Sequence, residues 1–321
     1  MSVKLHYTFL KIMTGSDLSR RRLPRMSAIS PNDGPLIWLT ACAHGDEVAG
    51  IVIIQEIFKK LKKGLLRGQV HAFPLMNPLG FENASRSISL SSEDLNRSFP
   101  GNPAGTLGER IAHQIFDAVT STDPDLVIDL HNDWIRSIPY ALLDRKTGIP
   151  DVMAWEKSAE SARDSGFCVI MDPEEIRKSL SYNFLARGIP ALTLEMGEPF
   201  MVNEINVRHG IGAVWNILAS MNMVQNTKEP FVFPVPEGFA GGRILDYLDR
   251  PVCSSSGVIR YIARPGTVVR KGQNLARIVN AFGKTQEILT ASQEALVLGH
   301  NDMSAAFPGM PLMAFGIRGE K

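Results

Sequence analysis

Residues 35–61 read PLIWLTACAHGDEVAGIVIIQEIFKKL, an apolar run followed by an amphipathic one. The first part, Pro35 to Ala43, predicts a buried strand. The second part, Val48 to Leu61, predicts a helix, because its apolar residues recur every three or four positions. The turn between them is His44-Gly45-Asp46-Glu47. A strand that leads through a polar turn into a helix is a building unit of an open α/β sheet, so this stretch predicts an α/β fold.

The turn at residues 44–47 has the residue types of half a zinc site. His44 and Glu47 stand three positions apart, and Gly45 permits a turn sharp enough for both side chains to reach one ion. An ordinary helix start would give the same letters, with Asp46 as the N-cap and Glu47 on the surface. The pair alone leaves both interpretations open.

Two further apolar runs end in residues suited to the same chemistry. Residues 125–130 are followed by His131, and residues 189–194 are followed by Glu195. Ligand sites of open α/β sheets lie at the carboxyl ends of strands, so His131 is a candidate ligand and Glu195 a candidate base. A hydrogen-bonded loop histidine and a solvated strand end are the alternatives. Asp129 faces the same side of its strand as His131, and either orients that ligand or bonds to backbone.

A fourth element is the octet Asp94-Leu95-Asn96-Arg97-Ser98-Phe99-Pro100-Gly101, with Arg86 upstream of it. The guanidinium of Arg97 matches both oxygens of a carboxylate, and the amide of Asn96 adds a donor without adding charge. The octet therefore predicts a carboxylate-binding site. A turn that is capped by Asp94 and exposes Arg97 is the alternative.

Five elements between Leu36 and Gly197 carry a family resemblance by their order. They are His-Gly-Asp-Glu, Asn-Pro, Asp-Leu-Asn-Arg-x-Phe-Pro-Gly, Asp-Leu-His and Leu-Glu-x-Gly. With them the chain resembles the succinylglutamate desuccinylase and aspartoacylase family, which is related to the zinc carboxypeptidases. The resemblance implies an α/β/α sandwich of zinc-carboxypeptidase type around a mixed sheet. It also implies one Zn²⁺ per chain, with a ligand set of His44, Glu47 and His131.

The same resemblance implies the remaining roles in the site. Glu195 corresponds to the general base of the family, and Arg86 to the arginine that polarises the scissile carbonyl. Asn96 and Arg97 correspond to the pair that holds a substrate carboxylate. Relatives that cleave N-acyl aspartate or glutamate use further basic residues, for which Arg177 and Arg187 are candidates outside any matching motif.

This residue set predicts a hydrolase. Two histidines and one carboxylate leave the fourth zinc position open, as in catalytic sites. We expect a zinc-activated water, deprotonated by Glu195, to attack an amide carbonyl held between the zinc and Arg86. The expected substrate is a small N-acyl amino acid or related N-acylated amine that carries a carboxylate. The acyl group and the amine stay open.

Composition agrees with this prediction and excludes other classes of protein. The chain has 321 residues, of which 44% are hydrophobic, and a formal net charge of +1. The near-neutral charge argues against a nucleic-acid partner, and the clusters Arg20–Arg25 and Lys59–Lys63 are expected to be helical or terminal solvated faces. No apolar run approaches the roughly 20 residues that span a bilayer. Three widely spaced cysteines and the lack of a signal-peptide pattern in Met1–Leu23 predict a cytoplasmic enzyme with buried thiols.

Periodicity along the chain predicts a catalytic α/β domain at residues 1–225, a Pro-rich linker at 226–241 and a smaller all-β domain at 242–321. In the first domain we also expect helices at 107–119, 152–165 and 206–221, and strands at 69–76 and 140–143. The last domain resembles the barrel-sandwich domains of biotinyl and lipoyl carriers. Because Lys284 lies outside any carrier hairpin motif, we expect an exposed turn lysine there.

Two other functions stay open. A zinc carboxypeptidase acting on peptides would use the same zinc, Glu and Asn-Arg chemistry, and an open groove would favour it over a covered cleft. A sugar- or partner-binding module on the C-terminal strands would have an inactive catalytic half. Enzymes of this kind are often symmetric homo-oligomers, and the sequence leaves the oligomeric state open.

Overall fold

The computed structural model describes residues 2–14, 18, 20–173, 177–240 and 242–319. Strands and helices alternate up to residue 220, as the periodicity predicts. The strands of this part are β1 (Lys4–Thr14), β2 (Arg20–Ile29), β3 (Leu36–Ala41), β4 (Gln69–Phe73), β5 (Leu126–His131), β6 (Arg136–Ser137), β7 (Tyr140–Leu143), β8 (Val169–Met171) and β9 (Ala191–Glu195). The helices are α1 (Ala49–Gly64), α2 (Pro78–Phe81), α3 (Leu107–Thr120), α4 (Val152–Asp164), α5 (Leu180–Ala186) and α6 (Glu204–Ser220).

The described residues after 242 form strands and turns, as predicted for this segment. The strands are β10 (Ile244–Leu248), β11 (Gly257–Tyr261), β12 (Val268–Val269), β13 (Asn274–Val279), β14 (Thr285–Thr290), β15 (Ala295–His300), β16 (Ala305–Ala306) and β17 (Met313–Ile317). The protein therefore combines a mixed α/β fold with a β-rich C-terminal segment.

Within the described ranges the larger sheet has 13 strands, in the order β1-β2-β4-β3-β5-β9-β7-β8-β10-β17-β15-β12, with β6 paired to β15. Strands β4, β3, β5 and β9 are mutually parallel. Strand β7 runs antiparallel to β9, and β8 is parallel to β7. The carboxyl end of β9 consequently lies beside the amino end of β7, which matters for the shape of the site.

Helices cover the sheet and bury its central strands. All six residues of β5 are buried, as expected for a parallel strand with layers on both faces. Helices α1 and α4 both contact α6, while α3 and α5 meet through stacked rings of Phe116 and Phe184 at 5.0 Å. The result is the predicted α/β/α sandwich. None of the helices in the described residues has the length and apolarity to cross a membrane.

The C-terminal segment contributes to both sheets. Strands β10, β17, β15 and β12 extend the larger sheet, and β10 pairs directly with β8. Strands β14, β13, β11 and β16 form a four-stranded sheet, and part of this segment has an apolar core that includes Leu275, Ile278 and Leu312. The boundaries at residues 225 and 242 stay a prediction.

One interpretation of the N-terminal basic cluster is wrong. A helical face at Arg20–Arg25 is excluded because these residues form part of β2, which pairs with β1 and β4. Leu23 is fully buried, and the guanidinium of Arg25 lies 4.9 Å from the ring centre of Trp38. The aliphatic part of an arginine side chain can cover apolar surface. A run of arginines is therefore compatible with a half-buried strand, which the sequence analysis did not consider here. The cluster Lys59–Lys63 lies at the end of α1, as expected.

Candidate active site

Parallel pairing brings the predicted metal ligands to one edge of the sheet. Strands β3 and β5 are neighbours, and His131 is the last residue of β5. The turn after β3 is held in a tight conformation, since Cys42 has a φ of 57° and Gly45 packs against the α2 backbone. A Cβ at Gly45 would lie 2.0 Å from the carbonyl carbon of Gly80. Glycine is needed there for this close approach of two backbones, whereas the sequence analysis expected it for the sharpness of the turn.

The carboxylate of Glu47 lies between two imidazole rings. Its Oε1 is 2.5 Å from Nδ1 of His44, and its Oε2 is 2.7 Å from Nδ1 of His131. Each of the three residues is at most 4% exposed. One candidate ligand atom from each lies within 4.8 Å of the others. The structure therefore brings the three predicted ligands together, although they come from two separate strands.

Acidic side chains hold both rings from the opposite side. His44 Nε2 lies 3.0 Å from Asp94 Oδ1, and His131 Nε2 lies 2.8 Å from Asp129 Oδ2. The other oxygen of Asp129 accepts a hydrogen bond from the Thr40 hydroxyl at 2.7 Å. Metal-binding histidines are commonly oriented in this way. Of the two interpretations of Asp129, the structure shows the one in which it orients His131.

Asp94 makes two contacts, of which the sequence analysis predicts one. Its Oδ1 accepts a hydrogen bond from the backbone N–H of Asn96 at 2.8 Å, which caps a short 3₁₀ turn at Leu95–Arg97. The same oxygen faces His44. The cap interpretation of Asp94 is therefore correct but incomplete, because the contact with His44 joins residues 50 positions apart and leaves no local pattern.

The charges of this cluster suit a divalent cation. Burial alone would lower the pKa of His131, but the carboxylates of Asp129 and Glu47 outweigh it and raise that pKa well above its usual value. Burial likewise opposes ionisation of Glu47, yet the two histidines hold its pKa well below its usual range. Two buried nitrogens and a carboxylate are a donor set that Zn²⁺ accepts, and binding would displace the protons on Nδ1. The residues present fit a zinc ion.

Glu195 lies beside this cluster on the neighbouring strand. The β5–β9 register pairs it with His131, and the β9–β7 register pairs it with Tyr140. Its Oε2 is buried and has no hydrogen-bond partner among the described residues. Burial raises the pKa of Glu195 well above its usual value, against the opposing charge of His131. A carboxyl group that readily takes up a proton suits the predicted general base.

The predicted substrate-binding residues line the same cavity, whose volume is about 180 Å³. Arg86 donates to Asp94 Oδ2 from Nη2 at 3.1 Å, and its Nη1 lies 3.7 Å from Glu47 Oε1. Asn96 Oδ1 accepts a hydrogen bond from the backbone N–H of Leu180 at 2.8 Å. Arg97 is exposed, and its Nη1 donates to the carbonyl of Asn96 at 2.9 Å.

The two further arginines lie in different surroundings. Arg187 lines a separate cavity with Pro100, His113 and Phe116. The backbone carbonyl of Arg177 accepts a hydrogen bond from Asn183 Nδ2 at 2.9 Å. Contact of either arginine with substrate stays a prediction, and the position of Arg187 argues against it.

The sequence analysis missed the inner wall of the cavity. This wall is polar and comes from the loop after β5, from the ends of β7 and β8, from β9 and from the start of α5: Asp133, Asp144, Asp172, Ser179, Ser181 and Thr193. Asp144 follows the apolar run at 140–143 in the way that Glu195 follows its own strand. That signal was present in the sequence, but no motif accompanied it.

The C-terminal segment supports the loop that follows His131. Strand β6 of this loop pairs with β15. The backbone N–H of Ile135 donates to Asp302 Oδ1 at 2.6 Å, and that of Ile138 donates to the carbonyl of Leu298 at 2.8 Å. Packing of the C-terminal strands therefore helps to position one border of the site.

The site combines a His-Glu-His cluster with a buried glutamate at adjoining strand ends of a mixed α/β sheet. This arrangement is typical of a hydrolase-type centre that can hold one metal ion. Residues 33–221 match the profile of the succinylglutamate desuccinylase/aspartoacylase catalytic domain. This match covers more than half of the chain. The protein belongs to that family, as its motifs predict.

Three known proteins illustrate the relationship. The chain is 32% identical over 141 residues to N-alpha-acetyl-L-2,4-diaminobutyric acid deacetylase of Halomonas elongata, a match that covers 43% of this chain and 41% of that protein. The product-bound structure of the ectoine utilization protein EutE (DoeB) from Ruegeria pomeroyi has a TM-score of 0.81 at 20% identity, over 99% of this chain and 96% of the other. A metallo-carboxypeptidase from Burkholderia cenocepacia has a TM-score of 0.52 at 17% identity, over 67% and 65%. The two structures show the shared fold.

Proposed function

We propose that this protein hydrolyses the amide bond of a small N-acyl amino acid or related N-acylated amine, with one Zn²⁺ held by His44, Glu47 and His131. The observation that carries the proposal is a buried Glu47 between two Nδ1 atoms, with the unpartnered carboxyl of Glu195 on the adjacent strand. Membership of a deacylase family and the similarity to a diaminobutyrate deacetylase support amide cleavage.

Each side chain of the site has a role in this reaction. A zinc ion bound there supplies Lewis acidity, which polarises a carbonyl and makes an attacking water more acidic. Glu195 accepts a proton from the water and passes it to the nitrogen of the departing amine. Arg86 donates hydrogen bonds to the carbonyl oxygen as negative charge develops on it. Asn96 and Arg97 hold a carboxylate of the substrate and so fix its position along the cavity.

The size of the cavity supports a small substrate. Its volume of about 180 Å³ is below the roughly 300–1,000 Å³ of sites that take drug-sized ligands. A carboxypeptidase needs room for the peptide that precedes the cleaved bond. The shared fold therefore favours the carboxypeptidase alternative, and the small volume of the cavity argues against it. The presence of every residue that the chemistry needs argues against the binding-module alternative.

The test is amine release from a panel of N-acetyl and N-succinyl amino acids and of dipeptides, after zinc loading. Wild-type protein is compared with Glu195→Gln and with Glu160→Gln, which makes the same change at an exposed position of α4. We expect hydrolysis of N-acyl amino acids by wild type and by Glu160→Gln, with a loss of about 10²- to 10⁴-fold in Glu195→Gln. Cleavage of dipeptides alone would favour the carboxypeptidase. Absence of any hydrolysis by zinc-loaded wild type would overturn the proposal.

A further inference from the structure

The cavity extends from Glu195 along the face of the sheet. The antiparallel register places Tyr140 beside Glu195 and Leu142 beside Thr193, and Asp144 follows β7 by one residue. Residues 140, 142 and 144 alternate onto one face, and Leu142 and Asp144 both line the cavity. At 3.3 Å per residue, Asp144 lies about 13 Å along the chain from Tyr140. The cavity therefore has a second, inner end at Asp144, four residues along the chain from the position that pairs with Glu195.

This second end contains a buried carboxyl group in an acidic environment. Asp144 is 6% exposed, and its backbone carbonyl is fixed by a hydrogen bond from Trp155 Nε1 at 2.8 Å. Burial raises the pKa of Asp144 to about 7, opposed by a hydrogen bond from Ser181. The charged groups that act most strongly on it, Asp172 and Asp129, are both carboxylates. A buried carboxylate in such surroundings is costly, and a cationic group of a ligand would offset that cost.

Two further buried polar atoms in the cavity have no hydrogen-bond partner among the described residues. Asn132 is 5% exposed and lines the cavity. Its Nδ2 donates to the carbonyls of Gly197 and Glu198, while its Oδ1 has no partner among the described residues. The Oε2 of Glu195 is also buried and has no hydrogen-bond partner among the described residues. Both atoms are open to hydrogen bonds from water or from a donor group of a bound molecule.

The start of α5 connects the predicted carboxylate site to Asp144. Asn96 accepts a hydrogen bond from the backbone N–H of Leu180, and the next residue, Ser181, donates to Asp144. A molecule that lies along this segment meets Arg97 and Asn96 at one end and Asp144 at the other. The two ends prefer opposite charges, since the first offers a guanidinium and the second a carboxylate.

We propose that the inner end of the cavity is a specificity pocket for a positively charged side chain, with Asp144 as the residue that selects it. The substrate is then an N-acylated basic amino acid, whose α-carboxylate binds Asn96 and Arg97 and whose terminal ammonium group binds Asp144. This inference rests on the proposed amide hydrolysis. An acidic side chain in the same pocket would face Asp144 with like charge, so N-acyl aspartate and N-acyl glutamate are poor substrates.

The kinetic test compares Nα-acetyl-L-lysine, Nα-acetyl-L-ornithine and Nα-acetyl-L-2,4-diaminobutyrate with neutral Nα-acetyl-L-norleucine and acidic Nα-acetyl-L-glutamate. Asp144→Asn removes the charge and keeps the shape, and Asp117→Asn makes the same change at an exposed position of α3. In Asp144→Asn we expect kcat/KM for the basic substrates to fall about 10- to 100-fold, as when a charge-assisted hydrogen bond is lost. The value for the norleucine derivative should not fall in the same way, because its apolar side chain forms no charge pair with residue 144.

Asp144→Glu provides a second variant that keeps the charge. Because its carboxylate reaches one methylene further into the cavity, it should retain the preference for cationic substrates and move it towards the shorter diaminobutyrate derivative. An equal loss for basic and neutral substrates in Asp144→Asn would contradict the proposal, as would preference of the wild type for the glutamate derivative.

Binding of the free amino acids separates this inference from the proposed function. Calorimetric titration of L-lysine, L-ornithine, L-2,4-diaminobutyrate and L-norleucine into the protein requires no turnover. We expect wild type and Asp117→Asn to bind at least one basic amino acid about tenfold or more tightly than norleucine, and Asp144→Asn to lose that difference. If no amide is hydrolysed but this preference is observed, the proposed function fails and the pocket assignment stands. Equal binding of basic and neutral amino acids by wild type overturns the assignment.

Discussion

The two ends of the cavity differ in how the fold builds them. At the metal end, His44 follows β3 and His131 is the last residue of the parallel strand β5. Acidic side chains contact both imidazole rings. At the inner end, Asp144 follows the antiparallel strand β7 and is held by Ser181 of α5. The side chains of the first end contact one another directly, whereas Asp144 is held by a different strand and helix. If both proposals hold, separate structural units carry the reaction and the choice of substrate.

The largest expected effect comes from removing a metal ligand. His131→Ala leaves two protein ligands and deprives Glu47 and Asp129 of a shared partner, so bound zinc and amide hydrolysis should both fall to background. Elemental analysis and amine release measure the two quantities. His113→Ala on α3, which lines the separate cavity, should retain both. Retention of one zinc per chain in His131→Ala would exclude His131 as a ligand.

Loss of Arg86 should affect catalysis at the metal end without removing the metal. Arg86→Ala withdraws a donor from the developing oxyanion, so we expect kcat to fall about 10²- to 10³-fold, as for other oxyanion donors. Stopped assays at saturating substrate give kcat, and the zinc content of the same samples serves as the control. An unchanged kcat with a raised KM would show instead that Arg86 binds the ground state of the substrate.

Removing the acidic partner of a proposed zinc ligand should lower zinc affinity less than removing the ligand itself. Asp129→Asn weakens the hydrogen bond to His131 and should lower zinc affinity about 10- to 100-fold, which competition with a chelator measures. Asp144→Asn makes the same chemical change at the inner end and should leave zinc affinity unaltered. Equal weakening in both variants would show that the two ends are not independent.

The last expected effect is on stability and depends on pH. The pKa of Asp144 is about 7 in the folded protein and about 3.9 in an unfolded chain, so the folded state retains a proton that the unfolded state has lost. The contribution of Asp144 to the free energy of unfolding therefore decreases as pH rises from about 4 to about 7, and Asp144→Asn lacks this decrease. Thermal unfolding of metal-free protein should show a gap in favour of Asp144→Asn that grows across this range. Asp117→Asn should follow wild type, and a gap that narrows with pH would contradict the assignment.

The metal end was largely predictable from sequence because its residues stand in short, ordered motifs next to apolar runs. The strand before His44, the helix after Glu47 and the positions of His131 and Glu195 agree with the expectation. The register that places Glu195 beside His131 depends on strand order, which local periodicity does not contain.

The inner end was not predictable for physical reasons. Strand β7 was expected, but its direction relative to β9 was not, and that direction alone extends the cavity from Glu195 to Asp144. Helix α5 has only seven residues, six of them buried, so it lacks the polar face that reveals a helix in sequence. The N-terminal hairpin of β1 and β2 was not predicted, because the arginines of β2 interrupt the alternation of apolar and polar residues that indicates a strand.

Titration of metal-free protein with zinc, while amine release is followed, tests the central claim most directly. Activity of the wild type should rise in proportion to added zinc and reach a plateau at one equivalent per chain. Glu195→Gln should bind the same single equivalent and stay about 10²- to 10⁴-fold less active. Failure of the wild type to bind zinc, or full activity of Glu195→Gln, would contradict a zinc centre at His44, Glu47 and His131 with Glu195 as its base.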